Sequence, residues 1–181
     1  MMGNGKTEIV IRDARDDDRA TVRELTLRAY AEYGGAMEPA AWVGLAGAVR
    51  AALESPAAMD RIVAEHRGEI VGSVMLFPPQ VPAYGEFADA AKAPELRLLA
   101  VNPDARGLGV GRALVEECIR RARRMGATEL GLHTSRSMAT AMDLYRRMGF
   151  VRWPETDFQP EGAELVEGYR LPLDGTGAAA E

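Results

Sequence analysis

With 181 residues, 47% hydrophobic and 27% charged, the chain is long enough for one sizeable core and short for two, and its composition is that of an ordinary globular domain. The formal charge of −5 argues against a general nucleic-acid binder, because phosphate neutralisation needs a basic surface; only Arg120, Arg121, Arg123 and Arg124 cluster, and that run reads as a solvated helix face. One cysteine allows no intrachain disulfide, the opening MMGNGKTEIVIRD lacks the apolar core of a secretory signal, and no window reaches the roughly 18 apolar residues of a membrane span, so the expectation is a cytoplasmic protein.

Residues 1–6 are expected to be flexible. TEIVIR, 7–12, alternates with β-branched content and predicts a strand, after which the aspartates of DARDDD cap a helix running to about Tyr33. The glycines and proline of GGAMEP set off a second helix over about 39–54. In RIVAEHRGEIVGSVMLF two apolar runs flank HRGE, predicting a β-hairpin of strands near 61–66 and 69–77. Residues 78–94, rich in proline and alanine, read as a surface loop or a loop with a short helical turn, and loops of that length are often functional.

The strand ELRLLAV, 95–101, follows, then a glycine-rich turn and a helix over about 109–125. Val110, Leu114, Val115, Cys118, Ile119, Ala122 and Met125 recur on it at helical spacing, so Cys118 reads as core. ATELGLHT predicts a further strand, SMATAMDLYRRMG a helix ended by Gly149, residues 150–153 the start of another strand, and ELVEGYRLPL the last one. Residues 7–173 are expected to form one domain and 174–181 a disordered tail. The two histidines, His66 and His133, assemble no metal cluster, and no metal is expected.

Gly107, Gly109 and Gly111 stand where strand gives way to helix. A strand ending in bare glycines before a helix N-terminus exposes several backbone N–H groups in one direction, which makes an anion site, and Arg106 and Arg112 can add charge-assisted hydrogen bonds. The spacing G-L-G-V-G fits neither the dinucleotide fingerprint nor the triphosphate loop. A phosphorylated cofactor of another kind is indicated.

VNPDARGLGVGRAL resembles the R/Q-x-x-G-x-G/A acyl-coenzyme A signature of the GNAT N-acetyltransferases, here carried by Arg106, Gly109 and Gly111. AMDLYRRMGFVR is similar to a second segment of the same family, A-x-x-L-Y-x-x-x-G-F, and lies the expected helix and strand downstream. The resemblance implies an α/β (α+β) fold with a mixed, largely antiparallel twisted sheet flanked by helices. It further implies acetyl-coenzyme A as cosubstrate, its pyrophosphate cradled by Arg106, Gly107, Leu108, Gly109, Val110, Gly111 and Arg112 and its pantetheine arm paired with Leu99, Ala100 and Val101.

The activity so implied is transfer of an acetyl group to an amine of a small molecule or peptide, by direct attack in a ternary complex. Glu95 matches a position where many members place a base, and Tyr145 matches the family tyrosine that protonates the departing thiolate. Tyr30, Tyr33, Trp42, Tyr84, Glu86 and His133 are candidates to line the acceptor pocket. One departure is plain: many relatives carry an asparagine where this chain has Met138, with Ser135 and Ser137 as substitutes beside it. Two other readings stay open. One is a coenzyme A-binding sensor or interaction module without turnover, which Met138 favours and Glu95 and Tyr145 oppose; the other is an acetyltransferase acting on charged tRNA, which the acidic balance opposes. The chain is expected to work as a monomer or homodimer, away from membranes and nucleic acid.

Overall fold

The computed structural model describes residues 8–35, 37–81 and 92–174. The alternating segment near the start forms β1 (Ile9–Asp13), and the expected hairpin is present as β2 (Asp60–His66) and β3 (Glu69–Phe77). Arg67 and Gly68 turn it, both at positive φ (54° and 82°), as a two-residue hairpin loop requires. The remaining strands are β4 (Glu95–Val101), β5 (Glu129–Ser135), β6 (Val151–Arg152) and β7 (Val166–Pro172). They form one sheet in the order β1-β2-β3-β4-β5-β7-β6, in which β4–β5 is the parallel pair and every other neighbour is antiparallel.

Helices α1 (Arg19–Gly34) and α2 (Pro39–Leu53) cover one face of the sheet, and α3 (Val110–Arg124) and α4 (Ala139–Arg147) cover the other. Val110, Leu114, Cys118 and Ala122 repeat every four residues along α3, are all buried, and press it onto β2, β3 and β5. Burial of a side chain such as Leu114 contributes about 1.5–3 kcal/mol. At Gly72 of β3 an added Cβ would come within 2.6 Å of Val110 and 3.0 Å of Leu114, so this glycine permits the close approach that fixes the start of α3 over the sheet.

Asp18 accepts the Arg15 N–H at 2.7 Å and pairs with Arg12, so the acidic cluster DARDDD caps a short turn (Asp16–Asp18) that leads into α1. The arginine run on α3 corrects an expectation. Arg121 is not solvated: it reaches Asp13 at 2.6 Å, Asp60 at 3.1 Å and Glu117 at 2.7 Å, tying α3 to the ends of β1 and β2. Among the described residues no helix is long and apolar enough to cross a membrane.

Candidate active site

Gly109 is the N-cap of α3, in the left-handed conformation (φ 83°), and Gly107 is left-handed too (φ 78°). A Cβ at either would meet no atom of the described residues within 4 Å, so the backbone shape, and not crowding by them, calls for glycine there. Among the described residues no side chain caps the helix, leaving first-turn N–H groups aimed outward at exposed backbone. Gly111 serves a different purpose: its Cβ would press on Leu144 of α4 at 3.2 Å. Arg106 pairs with Glu32 of α1, and Arg112 with Glu116 one turn along its own helix at 2.8 Å.

Leading into this turn, β4 carries a bulge that the sequence does not announce. Ser73 pairs with Ala100 and Met75 with Arg97, so Val74 alone faces both Leu98 and Leu99, and Leu98 takes φ +54°. The extra residue reverses the alternation. Leu96 packs toward α3, Leu98 and Ala100 toward α2 and α1, and Leu99 and Val101 again toward α3.

On its other side β4 meets β5 at a single register pair, Glu95 with Gly131. Past that point no ladder joins the two strands, and their facing peptide groups line a wedge that opens toward the glycine turn. Leu99, Ala100 and Val101 stand along it.

Glu95 sits at the closed end of the wedge, buried, on the face shared with Phe77. Arg97 lies two residues on, its Nε 2.7 Å and Nη2 2.6 Å from Glu95 Oε2. His133 Nδ1 bonds Glu95 Oε1, and its Nε2 is 2.9 Å from the Thr156 carbonyl. The Arg97 guanidinium also lies 4.3 Å over the Phe77 ring and donates to the Val81 carbonyl at 2.5 Å. Burial alone would push the Glu95 carboxyl up, but the His133 hydrogen bond and the charges of His133 and Arg97 hold it below the usual carboxylate range. His133 shows the converse: burial pulls it down, and the bonded Glu95 carboxylate raises it above the usual histidine value.

Tyr145 belongs to the opposite layer, buried beside Phe150 with ring centroids 5.7 Å apart. Glu95 and Tyr145 therefore flank the wedge from the two faces of the sheet. Cys118, in the same layer as Tyr145, is fully buried, and burial pushes its thiol up to about 12.

A model of the acetyltransferase (GNAT) family matches residues 20–150 of the chain. The chain belongs to the GNAT acetyltransferase family. Mycothiol acetyltransferase of Cellulomonas flavigena is 33% identical over 91 residues, which cover 50% of this chain and 26% of that protein. The match spans about a quarter of that relative's length and no more than half of the rat and human N-acetyltransferase 8 proteins it also resembles. A GNAT acetyltransferase from Staphylococcus aureus shares the fold with a TM-score of 0.67 at 16% identity, covering 92% of this chain and 100% of that one. A GNAT acetyltransferase from Brucella melitensis in complex with acetyl-CoA has a TM-score of 0.58 at 23% identity, covering 88% and 95%.

The candidates for the acceptor pocket fall into three groups. Tyr30 and Tyr33 meet edge to face at 5.8 Å on α1, and Trp42 of α2 lies so close to Gly34 that a Cβ there would come within 2.8 Å of the indole, so these three gather where α1 and α2 meet. Tyr30 also lines a small cavity with Arg97, Leu45 and Leu98, which brings α1 to the Glu95 end of the wedge. His133 is bonded to Glu95 and Thr156, and Tyr84 and Glu86 lie outside the described residues.

Ser135 and Ser137, beside Met138, bond each other at 3.0 Å, and Ser137 also donates to Glu164. Thr134, by contrast, carries a buried hydroxyl with no hydrogen-bond partner among the described residues, on the β5 face shared with Leu130 and Leu132. Parted strands, outward N–H groups, open glycines and this unsatisfied hydroxyl suit a long ligand with an anionic end and amides along its arm. That is the chemistry of acetyl-coenzyme A.

Three participants lay beyond the sequence reading. Arg97 carried a signal, since charged residues two apart in a strand share a face. The Leu98 bulge and the Thr156 carbonyl carried none, the first being an ordinary leucine and the second a backbone group.

Proposed function

We propose that this chain transfers an acetyl group from acetyl-coenzyme A to an amine of a small molecule or peptide, by direct attack in a ternary complex. The observation that carries the reading is the wedge: β4 and β5 part beyond Glu95–Gly131 and open onto the uncapped, glycine-flanked start of α3. The backbone of residues 106–112 would hold the pyrophosphate through N–H groups favoured by the helix dipole. Leu99, Ala100 and Val101 would pair with the pantetheine amides. When bound, the cosubstrate supplies the acetyl group as a reactive thioester.

Tyr145 holds a proton to give to the departing sulfur, since a phenol of pKa about 10 matches a thiolate whose conjugate acid is near 8.5. A backbone N–H of Ala100 or Val101 would donate to the carbonyl oxygen as negative charge builds on it. Glu95 accepts the amine proton, directly or through water. The Arg97 guanidinium and the His133 hydrogen bond make it a weak acceptor, which favours an amine already partly neutral at pH 7. An α-amine of pKa about 7.7–8 suits it better than a lysine-type amine at about 10.4.

The test is release of free thiol from acetyl-coenzyme A against matched amines, for example amino-acid amides and N-blocked lysine. Acetylation of the α-amine at a rate at least tenfold above the ε-amine supports the reading. Binding without transfer to any amine would favour a sensor instead.

A further inference from the structure

We propose that His133 is a positioning residue for Glu95, an imidazolium that donates from both ring nitrogens and so fastens the Glu95 carboxylate of β4 to the Thr156 carbonyl between β6 and β7. The inference rests on the reading of Glu95 as the proton acceptor, and the observations behind it are geometric. A carbonyl can only accept, so Nε2, 2.9 Å from Thr156 O, carries a hydrogen. Nδ1 faces a carboxylate oxygen. A neutral ring protonated at Nε2 would turn a lone pair toward that oxygen unless Glu95 were itself protonated. Arg97, 2.6–2.7 Å from the other Glu95 oxygen, opposes that protonation. Both ring nitrogens therefore donate.

The side chains of His133 and Glu95 are 6% and 2% exposed, so water does not compete for these bonds. The charged groups around the ring come from each neighbouring element. Glu95 and Arg97 face it from β4. Asp157, which is held by Arg152 at 2.9 and 2.7 Å, also lies near enough for its charge to feel the imidazole. Phe158 meets the ring edge-on at 5.3 Å, and Gly168 of β7 is its partner across the sheet, with Glu167 next to it bonded by the Tyr169 hydroxyl.

The segment that His133 grips is itself braced. Thr156 Oγ1 donates to the Trp153 carbonyl at 2.9 Å, and the Gly168 N–H donates to Asp157 at 2.8 Å. One proton thus joins β4, β5 and the segment between β6 and β7 around the closed end of the wedge. Glu95 cannot swing, and it stays ionised where the acceptor amine must lose its proton.

The experiment is NMR on the full chain, with ¹⁵N in the histidine rings and ¹³C in the glutamate carboxyls, repeated on His133→Gln, which keeps a donor and removes the charge. In the parent at pH 7.5 both His133 nitrogens should show the protonated signature. In His133→Gln the Glu95 titration should rise by about one pH unit or more, and the acidic limb of kcat/KM should follow it. A pyridine-type nitrogen in the parent overturns the proposal, a result available even if the variant does not fold. An unmoved Glu95 titration in the variant overturns it as well. Neither spectrum needs the cosubstrate, so failure to bind acetyl-coenzyme A would fell the proposed function and leave this inference to be decided on its own.

Discussion

Replacing Gly109 by alanine separates what the turn needs for itself from what it does for a ligand. The residue sits at φ 83°, and a Cβ added there meets nothing within 4 Å among the described residues, so none of their atoms has to move. The cost is then the left-handed backbone alone, about 1–2 kcal/mol for an ordinary residue, offset in part by the entropy alanine removes from the unfolded chain. A net loss of about 1 kcal/mol lowers Tm by roughly 2–4 °C at this size. Affinity should suffer more, because the methyl group would stand among the outward N–H groups at the start of α3. Losing one charge-assisted hydrogen bond, about 1.5–3 kcal/mol, weakens Kd for acetyl-coenzyme A by roughly 10- to 150-fold. Calorimetric titration and a thermal melt read the two effects separately. Gly109→Asn should recover Tm, since asparagine tolerates this conformation, and should not recover affinity. A Kd within twofold of the parent in Gly109→Ala, with Tm lowered by about 2–4 °C, would leave the glycine to the turn alone.

Tyr145→Phe should lower turnover about 100-fold in steady-state assays, with acetyl-coenzyme A affinity within twofold of the parent; equal turnover would remove the phenol as proton donor. At Gly168 an added Cβ would lie 1.9 Å from Thr156 Oγ1 and 2.8 Å from the Trp153 carbonyl. Gly168→Ala should therefore cost about 1–3 kcal/mol in a thermal melt, and Thr156→Ala in the same chain should return only part of it, because the carbonyl clash remains. The Glu95–His133 pair also predicts how stability varies with pH. Glu95 is depressed in the folded state, so its contribution is present above the ordinary carboxylate value of about 4.3 and is lost as pH falls through the folded value. His133 is raised, so its contribution is complete below about 6.5 and is lost as pH rises through its folded value. The Tm difference between parent and His133→Gln should be largest between about pH 5 and 6.5 and shrink toward pH 9, and a difference flat across that range would contradict the pairing.

Much of the fold was legible because periodicity reports burial. The four-residue repeat of Val110, Leu114, Cys118 and Ala122 is the stripe that presses α3 onto the sheet. His66, Arg67, Gly68 and Glu69 announce the hairpin through a turn that demands positive φ. Arg121 misled, since its sequence neighbours are arginines while its partners Asp13 and Asp60 come from strands far away in the chain.

The candidate site was legible in part for the same reason. Gly107 and Gly109 mark themselves by their residue type, whereas the bulge at Leu98 comes from how β3 and β4 register and leaves no trace in the letters. His133 could be picked out as a candidate, but its partners Glu95 and Thr156 become visible only when β4, β5 and the segment after β6 are brought together.

Whether the wedge and glycine turn hold acetyl-coenzyme A is tested by a thermal melt with the saturating cosubstrate, run beside ATP and NAD. A ligand at about 100 times its Kd adds roughly 2.7 kcal/mol, which at this size raises Tm by about 5–10 °C. A coenzyme A cradle at the start of α3 should give that rise with acetyl-coenzyme A and none with the other two. No shift with acetyl-coenzyme A, upheld by calorimetric titration, would contradict it.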